Sequence, residues 1–425
     1  MSPTLPTSVN VVMHLPPKTR LLAAFTLVEM MVSMAIIAIL GLILVQLTSQ
    51  TSSTWQYTTR KTEEFRDARR AFEAMSRKIG QATLNTYWDY QYNGTQTPVA
   101  YGRQSELQFV CGGMQSATGT SGTNGAISPL LAGTKSATTP LRPTHGIFFQ
   151  APLGYVAPGT SNDTTTYNGM RGLDNLLNTW GYYIEVNDDQ SNGQRPSFLS
   201  TSDGVIPVQI RSRLMEFMQP SNDLSVYQYT LPAIANPPTA TTTAPIPFNW
   251  FTDALSTPAG STAVPPYHVL SENIIALVIL PKLSKQDAGT LTKLSPAQQD
   301  VALAPNYFYN SGITGEVANS PLLNSRNQLP PVVQVTMVAI DEGSAQRMMP
   351  TMDQAQTFVQ STLKLPQRFL DASKFQTDLQ SNPSVGAGAG GTSLEDALIA
   401  NRINYRIFTT NVSIRAAKWS QATTK

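Results

Sequence analysis

The chain has 425 residues, of which 13% are charged, and a formal net charge of +2. That length can bury a substantial core without staples, and the near-neutral balance excludes an overall field directed at nucleic acid or acidic partners. The single cysteine, Cys111, excludes an intrachain disulfide, and His14, His145 and His268 are too scattered for a structural zinc site.

Residues 1–24 carry Lys18 and Arg20, no acid, and Pro3, Pro6, Pro16 and Pro17, which predicts an unstructured leader with a cytoplasmic character. Phe25 to Leu47 then reads FTLVEMMVSMAIIAILGLILVQL, roughly 20 mostly apolar residues, the length of a helix that crosses a bilayer. Arg60, Lys61 and Arg66 follow it, so the basic count alone leaves orientation open. No small-residue site follows the run, so cleavage behind it is not expected. Glu29 stands inside the run, where an acid costs on the order of 3 kcal/mol and needs a partner, a function or reach to the interface.

Beyond the span, Phe65, Ala68, Phe72, Met75 and Ile79 recur at spacings of three and four, with a charged opposite face. This predicts an amphipathic continuation over 48–84, with Gly80 as a candidate end. From Asn85 to the end, β-branched and aromatic runs alternate with Gly, Pro, Ser, Thr and Asn clusters, the pattern of a β-rich domain. Strands are expected at Glu106 to Cys111, Gly146 to Gln150, Trp180 to Val186, Val208 to Met218, Val226 to Leu231, Asn273 to Leu280, Val332 to Ile340 and Tyr405 to Arg415. Ile274 to Leu280 and Val332 to Ile340 are nearly continuously apolar and are expected to be central. Helices are expected at Met352 to Leu363 and near Leu370 to Leu379, and loops at Gly113 to Thr139 and Pro237 to Pro247. The fold class is therefore α+β: a long helix, transmembrane then amphipathic, followed by a large, mostly antiparallel external domain at 85–425.

Standard chemical motifs are not evident. Gly386, Gly388 and Gly391 match G-x-G-x-x-G in spacing, but no strand precedes them, so they read as a flexible linker. Asp188, Gln190, Asn192 and Gly193 lack the acid a calcium loop needs at its end, where Leu199 stands, and read as a hairpin turn. Asp341 and Glu342 read as a solvated turn, Cys111 as a small core residue, and Tyr87, Trp88, Tyr90 and Tyr92 as core or hinge packing. No catalytic residue, cofactor or metal is expected.

The segment Ala24-Phe25-Thr26-Leu27-Val28-Glu29 resembles the prepilin cleavage and methylation motif of type IV pilins and type II secretion pseudopilins. The resemblance implies cleavage by a prepilin peptidase between Ala24 and Phe25, N-methylation of Phe25, and a Glu29 carboxylate that meets the terminal amine of a neighbouring subunit. Two opposite charges in a low-dielectric bundle compensate each other, so the pair sets axial register. Where the family has Gly before the cut, this chain has Ala24. TLNTYWDYQYN from Thr83, GIFFQAPLGYV from Gly146, GLDNLLNTWGYYIEV from Gly172 and NYRIFTTNVSIRAAKW from Asn404 resemble protein C of the Verru_Chthon multi-gene cassettes. YRIFTTNVSIR is also similar to the end of the J-type minor pseudopilins.

These resemblances imply a prepilin-like subunit of the inner membrane, N-terminus cytoplasmic, whose partners are the prepilin peptidase and other prepilin-like subunits, with no nucleic acid. A head of this size is hard to stack at every position of a thin filament, which favours a minor subunit. The alternative is a single-pass anchor whose external domain is a binding module. An anchored hydrolase would need an acid, base or nucleophile constellation that the chain does not display.

Overall fold

The computed structural model describes residues 26–92, 97–113, 141–154, 176–189, 195, 207–221, 224–227, 248–255, 266–312, 323, 325–380 and 393–419. The chain divides into two compact units, one up to Arg60 and one from Lys61 onward. The class is the expected one, a long apolar helix and a mostly antiparallel β domain.

Helix α1 runs from Leu27 to Ile79, 53 residues. In the N-terminal unit the stretch Leu27–Gln56 is long and apolar enough to cross a membrane, and every side chain in it is exposed. A helix apolar on all sides has no core to face, which fits a membrane anchor. Trp55, also exposed, lies about 12 Å along the axis beyond Leu47, where interfacial aromatics collect.

In the second unit the end of α1 is amphipathic. Ala68, Ala71, Phe72, Met75 and Ile79 are buried and Phe65 packs beside them, the stripe that the spacing predicts. Arg69–Glu73 (2.9 Å) and Arg70–Asp67 (3.2 Å) decorate the exposed face, worth a few tenths of a kcal/mol each. The helix stops at Ile79, not near Leu84. Gln81 and Ala82 donate to the carbonyls of Lys78 and Ile79 in a tightening last turn, and the Gly80 carbonyl is taken by Arg415 N–H at 3.2 Å.

Eleven strands follow among the described residues: β1 (Tyr87–Tyr92), β2 (Pro98–Gln104), β3 (Val110–Gly113), β4 (His145–Ala151), β5 (Asn178–Asp188), β6 (Ile210–Gln219), β7 (Tyr267–Glu272), β8 (Ile274–Lys282), β9 (Tyr309–Asn310), β10 (Val332–Ile340) and β11 (Tyr405–Ser413). The pair β1-β2 forms a hairpin, a six-stranded sheet has the order β7-β6-β5-β4-β3-β9, and a three-stranded sheet has the order β11-β10-β8. All pairs are antiparallel.

Of the two strands expected to be central, β10 is central and β8 is not. β8 is buried on both faces yet is the edge of its sheet. Three of its outer backbone groups meet side chains instead of a strand: Leu277 N–H donates to Thr144 Oγ1 (3.1 Å), Ile279 N–H to His145 Nδ1 (3.1 Å), and Ser212 Oγ donates to Ile274 O (2.5 Å). An apolar run is thus compatible with an edge when side chains seal it. One face of β8 and β10 joins the core shared with α1 and the large sheet. The other is covered by the C-terminal helical segments, among them Glu342–Met348, Met352–Thr357, Phe375–Leu379 and Leu394–Ala400.

Packing inside the large sheet depends on Gly181. It sits directly opposite Phe148, and a Cβ there would lie 2.3 Å from Phe148 Cδ1. The ring occupies that space and stacks on Phe251 at 4.1 Å.

Other expectations are corrected in detail. The strand expected at Glu106 to Cys111 begins only at Val110, because Gln108 and Phe109 give their N–H groups to the side chains of Gln150 and Ser311. The helix expected at Met352 to Leu363 is an α turn that widens at Phe358–Thr362, and that near Leu370 to Leu379 starts as a 3₁₀ turn at Ala372. Hairpin β1-β2 and edge strand β7 went unpredicted. The strand expected at Val226 to Leu231 is contradicted where it is described, since Val226 and Tyr227 are helical; residues 228–231, 114–139, 237–247 and 386–391 lie outside the described residues.

Candidate functional site

The N-terminal turn of α1 carries the residues singled out by motif. Ala24 and Phe25 lie outside the described residues, and Thr26 and Glu29 are within them. Thr26 precedes the first helical residue, and its backbone N–H and Oγ1 donate to Glu29 Oε2 at 3.2 and 3.3 Å, while Glu29 N–H donates to Thr26 Oγ1 at 3.3 Å. This reciprocal arrangement is a capping box, T-x-x-E, legible in the sequence and not read there. It gives Glu29 a role within the single chain: the carboxylate satisfies an orphan donor and sits at the positive end of the helix dipole. A carboxylate has about four acceptor positions, so the box leaves capacity for a further donor.

At the other end of α1, sequence reasoning missed the polar half of the docking. Lys78 pairs with Glu216 on β6, which is 2% exposed, and its ammonium lies 3.6 Å from the centroid of the Trp180 ring on β5. Trp180 and Tyr182 flank Glu216 on one sheet face because β5 and β6 pair Trp180 with Met218 and Tyr182 with Glu216. Burial, then the Glu216 carboxylate, pushes the Tyr182 hydroxyl well above its ordinary value. Phe72 packs on Phe408 of β11 at 5.8 Å between ring centroids. By spacing Lys78 belongs to the charged face of α1, and nothing local points to a partner 138 residues away.

The residues set aside in the sequence find structural places. Asp341 caps the helix Glu342–Met348 by accepting from Ser344 N–H, and also accepts from Asn404 Nδ2 at 3.1 Å. Glu342 pairs with Arg211 and accepts from Asn273 Nδ2 at 2.7 Å. The solvated turn is therefore a buried cap and an ion pair. Cys111 is buried in β3, where desolvation pushes its thiol up. β5 and β6 are successive antiparallel partners; of the turn between them, Asp189 accepts from Gln209 N–H at 3.1 Å and pairs with Arg195, and Gln190, Asn192, Gly193 and Leu199 lie outside the described residues. His145 is fully buried, and its Nδ1 acceptor role leaves Nε2–H to donate to Phe369 O at 3.0 Å.

The aromatic cluster contradicts its reading. Tyr87, Trp88 and Tyr90 are not core: the β1-β2 hairpin holds them in solvent, with Trp88 51% and Tyr90 55% exposed. No periodicity distinguishes an exposed two-stranded hairpin from one that caps a core, because both alternate with period two.

Comparison with known families places one match, the prokaryotic N-terminal methylation motif, on residues 23–45. It falls on the capping turn and the apolar half of α1, and supports a prepilin-type protein. No curated protein and no solved structure was found to be similar to the chain.

Proposed function

We propose that the chain is a prepilin-like structural subunit of a pilus or type II secretion-like machine, present as a minor component and without catalytic activity of its own. The observation that carries this reading is the methylation motif at residues 23–45 on a helix that opens with Glu29 in its first turn and exposes an apolar surface on every side. In this reading a prepilin peptidase cuts between Ala24 and Phe25, Phe25 is N-methylated, and α1 stands in the inner membrane with its start toward the cytoplasm and the β domain outside. The Verru_Chthon protein C resemblance supports the same architecture. In the single chain Glu29 closes the helix start; on assembly its remaining acceptor capacity meets the terminal amine of a neighbouring subunit, and register follows because either charge left alone in lipid is costly.

The test is expression of the full chain with a prepilin peptidase, with and without Glu29→Ala, followed by mass spectrometry of the mature N-terminus. A methylated Phe25 terminus, with assembly lost in the variant, is expected. A Met1 terminus in a membrane-inserted chain would overturn the processing and favour a plain anchor with an external binding module.

A further inference from the structure

We propose that the aromatic face of the β1-β2 hairpin, with the mixed polar and apolar cleft at its base, is a binding site for an uncharged β-linked polysaccharide. Trp88, Tyr90, Tyr101 and Arg103 alternate onto one face, since the register pairs Trp88 with Arg103 and Tyr90 with Tyr101. The rings form a row: Tyr101 lies 5.7 Å from Trp88 in a nearly parallel stack and 5.0 Å from Tyr90. Tyr101 is 52% exposed, like its neighbours. The row stiffens the hairpin but does not anchor it to the rest of the domain. Its base is tied by Arg103 Nη1 to Lys418 O at 2.9 Å and by Asn327 Nδ2 to Arg103 O at 2.6 Å. Cross-strand contacts hold the rings together, yet each keeps about half of its surface in water, so the row forms a contiguous exposed aromatic patch of the kind that serves a ligand.

Size and charge select the ligand. An aromatic side chain buries 150–250 Å² when covered, so three half-exposed ones offer roughly 300–400 Å², well short of the ≈ 800 Å² per partner of a stable protein interface. Nucleic acid would stack on such rings but also needs a basic track for its phosphates. Here the Arg103 guanidinium already serves two neutral acceptors, Lys418 O and Gln328 Oε1, and lies over Trp88, while the carboxylates of Glu106 and Asp89 stand close enough to Tyr87 to raise its hydroxyl further after burial has done so. The local field has both signs and favours a neutral chain. A β-linked pyranose ribbon presents flat C–H faces to the negative face of an aromatic ring and a rim of hydroxyls. The rim has partners. A cleft of about 340 Å³ beside the hairpin is lined by Thr83, Thr86, Asn327 and Gln328, whose hydroxyls and amides donate and accept, together with the cations Arg103 and Lys418 and several apolar side chains.

The experiment is isothermal titration of cellohexaose and chitohexaose into the full chain held in lipid nanodiscs, which avoids detergents with sugar head groups. Saturable binding of at least one hexasaccharide is expected, weakened tenfold or more by Trp88→Ala and by Tyr90→Ala at an unchanged melting temperature, and held within about threefold by Trp88→Tyr. Should Trp88→Ala lower the melting temperature, Tyr90→Ala decides. Absence of binding to both sugars, or binding unmoved by the Ala variants, overturns the proposal. So does tighter, salt-sensitive binding of a single-stranded oligonucleotide, or self-association of the sugar-free chain that Trp88→Ala dissolves.

Discussion

The two ends of α1 share one run of backbone hydrogen bonds, but their side chains answer to different solvents. From Leu27 to Gln56 every side chain is exposed and the composition is apolar, then Ser- and Thr-rich. From Phe65 to Ile79 one stripe is buried and the opposite face is charged. Helix formation is indifferent to this contrast because the backbone bonds close locally in both. What differs is where the free energy of burial comes from: lipid for the first part, a folded β domain for the second. Mutations should therefore separate cleanly, each half reporting on its own solvent.

The largest effect is expected from moving one acid along the helix. Met75→Asp puts an unpaired carboxylate in a fully buried position and should cost about 4 kcal/mol or more, abolishing the cooperative melt of the β domain. Leu42→Asp should leave that melt unchanged and release the chain from membranes, the insertion penalty being about 3 kcal/mol. Calorimetry and carbonate extraction read the two; a β domain unfolded by Leu42→Asp would break the comparison.

Acid sharpens it next. His145 is held neutral by desolvation, its value lowered to about 4 despite the Phe369 carbonyl that accepts from Nε2–H. The unfolded chain protonates near 6.5, so stability is fully present above that value and is lost as pH falls toward 4, by about 3 kcal/mol. Denaturant titrations of the β domain at pH 7 and pH 4.5 should show a loss larger than in His145→Gln, the difference isolating this residue from the carboxylates. Membrane retention should not change over the same range.

The smallest effect belongs to the helix start. Thr26→Ala removes the hydroxyl of the capping box and should cost about 1 kcal/mol, seen as faster amide exchange confined to the first turn of α1 in nanodiscs. Protection from Met75 to Ile79 should stay as it was, and a change there would mean that the two halves are coupled.

The reach of sequence reasoning follows the range of the interactions involved. The buried stripe Ala68, Phe72, Met75 and Ile79 was legible because helical period is local, and β10 because nine residues rich in Val alternate over both faces of a buried strand. The capping box was legible too, since Thr26 and Glu29 are three residues apart, though the spacing predicts for the acid only reach to the interface or, by resemblance, a role between chains. The edge position of β8 was not, because hydropathy records burial and says nothing about which residue completes a backbone bond. Gly181 was silent for the same reason: its meaning is the Phe148 ring beside it, supplied from another strand.

By itself the sequence determined the apolar stretch long enough to cross a membrane, the amphipathic continuation, the β class of the following domain and the methylation motif, all of which rest on neighbours within a few residues. Only the tertiary structure decided that Lys78 docks on Glu216 and Trp180, that His145 seals a sheet edge, that Asp341 is a cap, and that Trp88, Tyr90 and Tyr101 face solvent. Those outcomes depend on which distant segments meet, and the free energy that selects among such meetings is shared across the whole core and written at no single position.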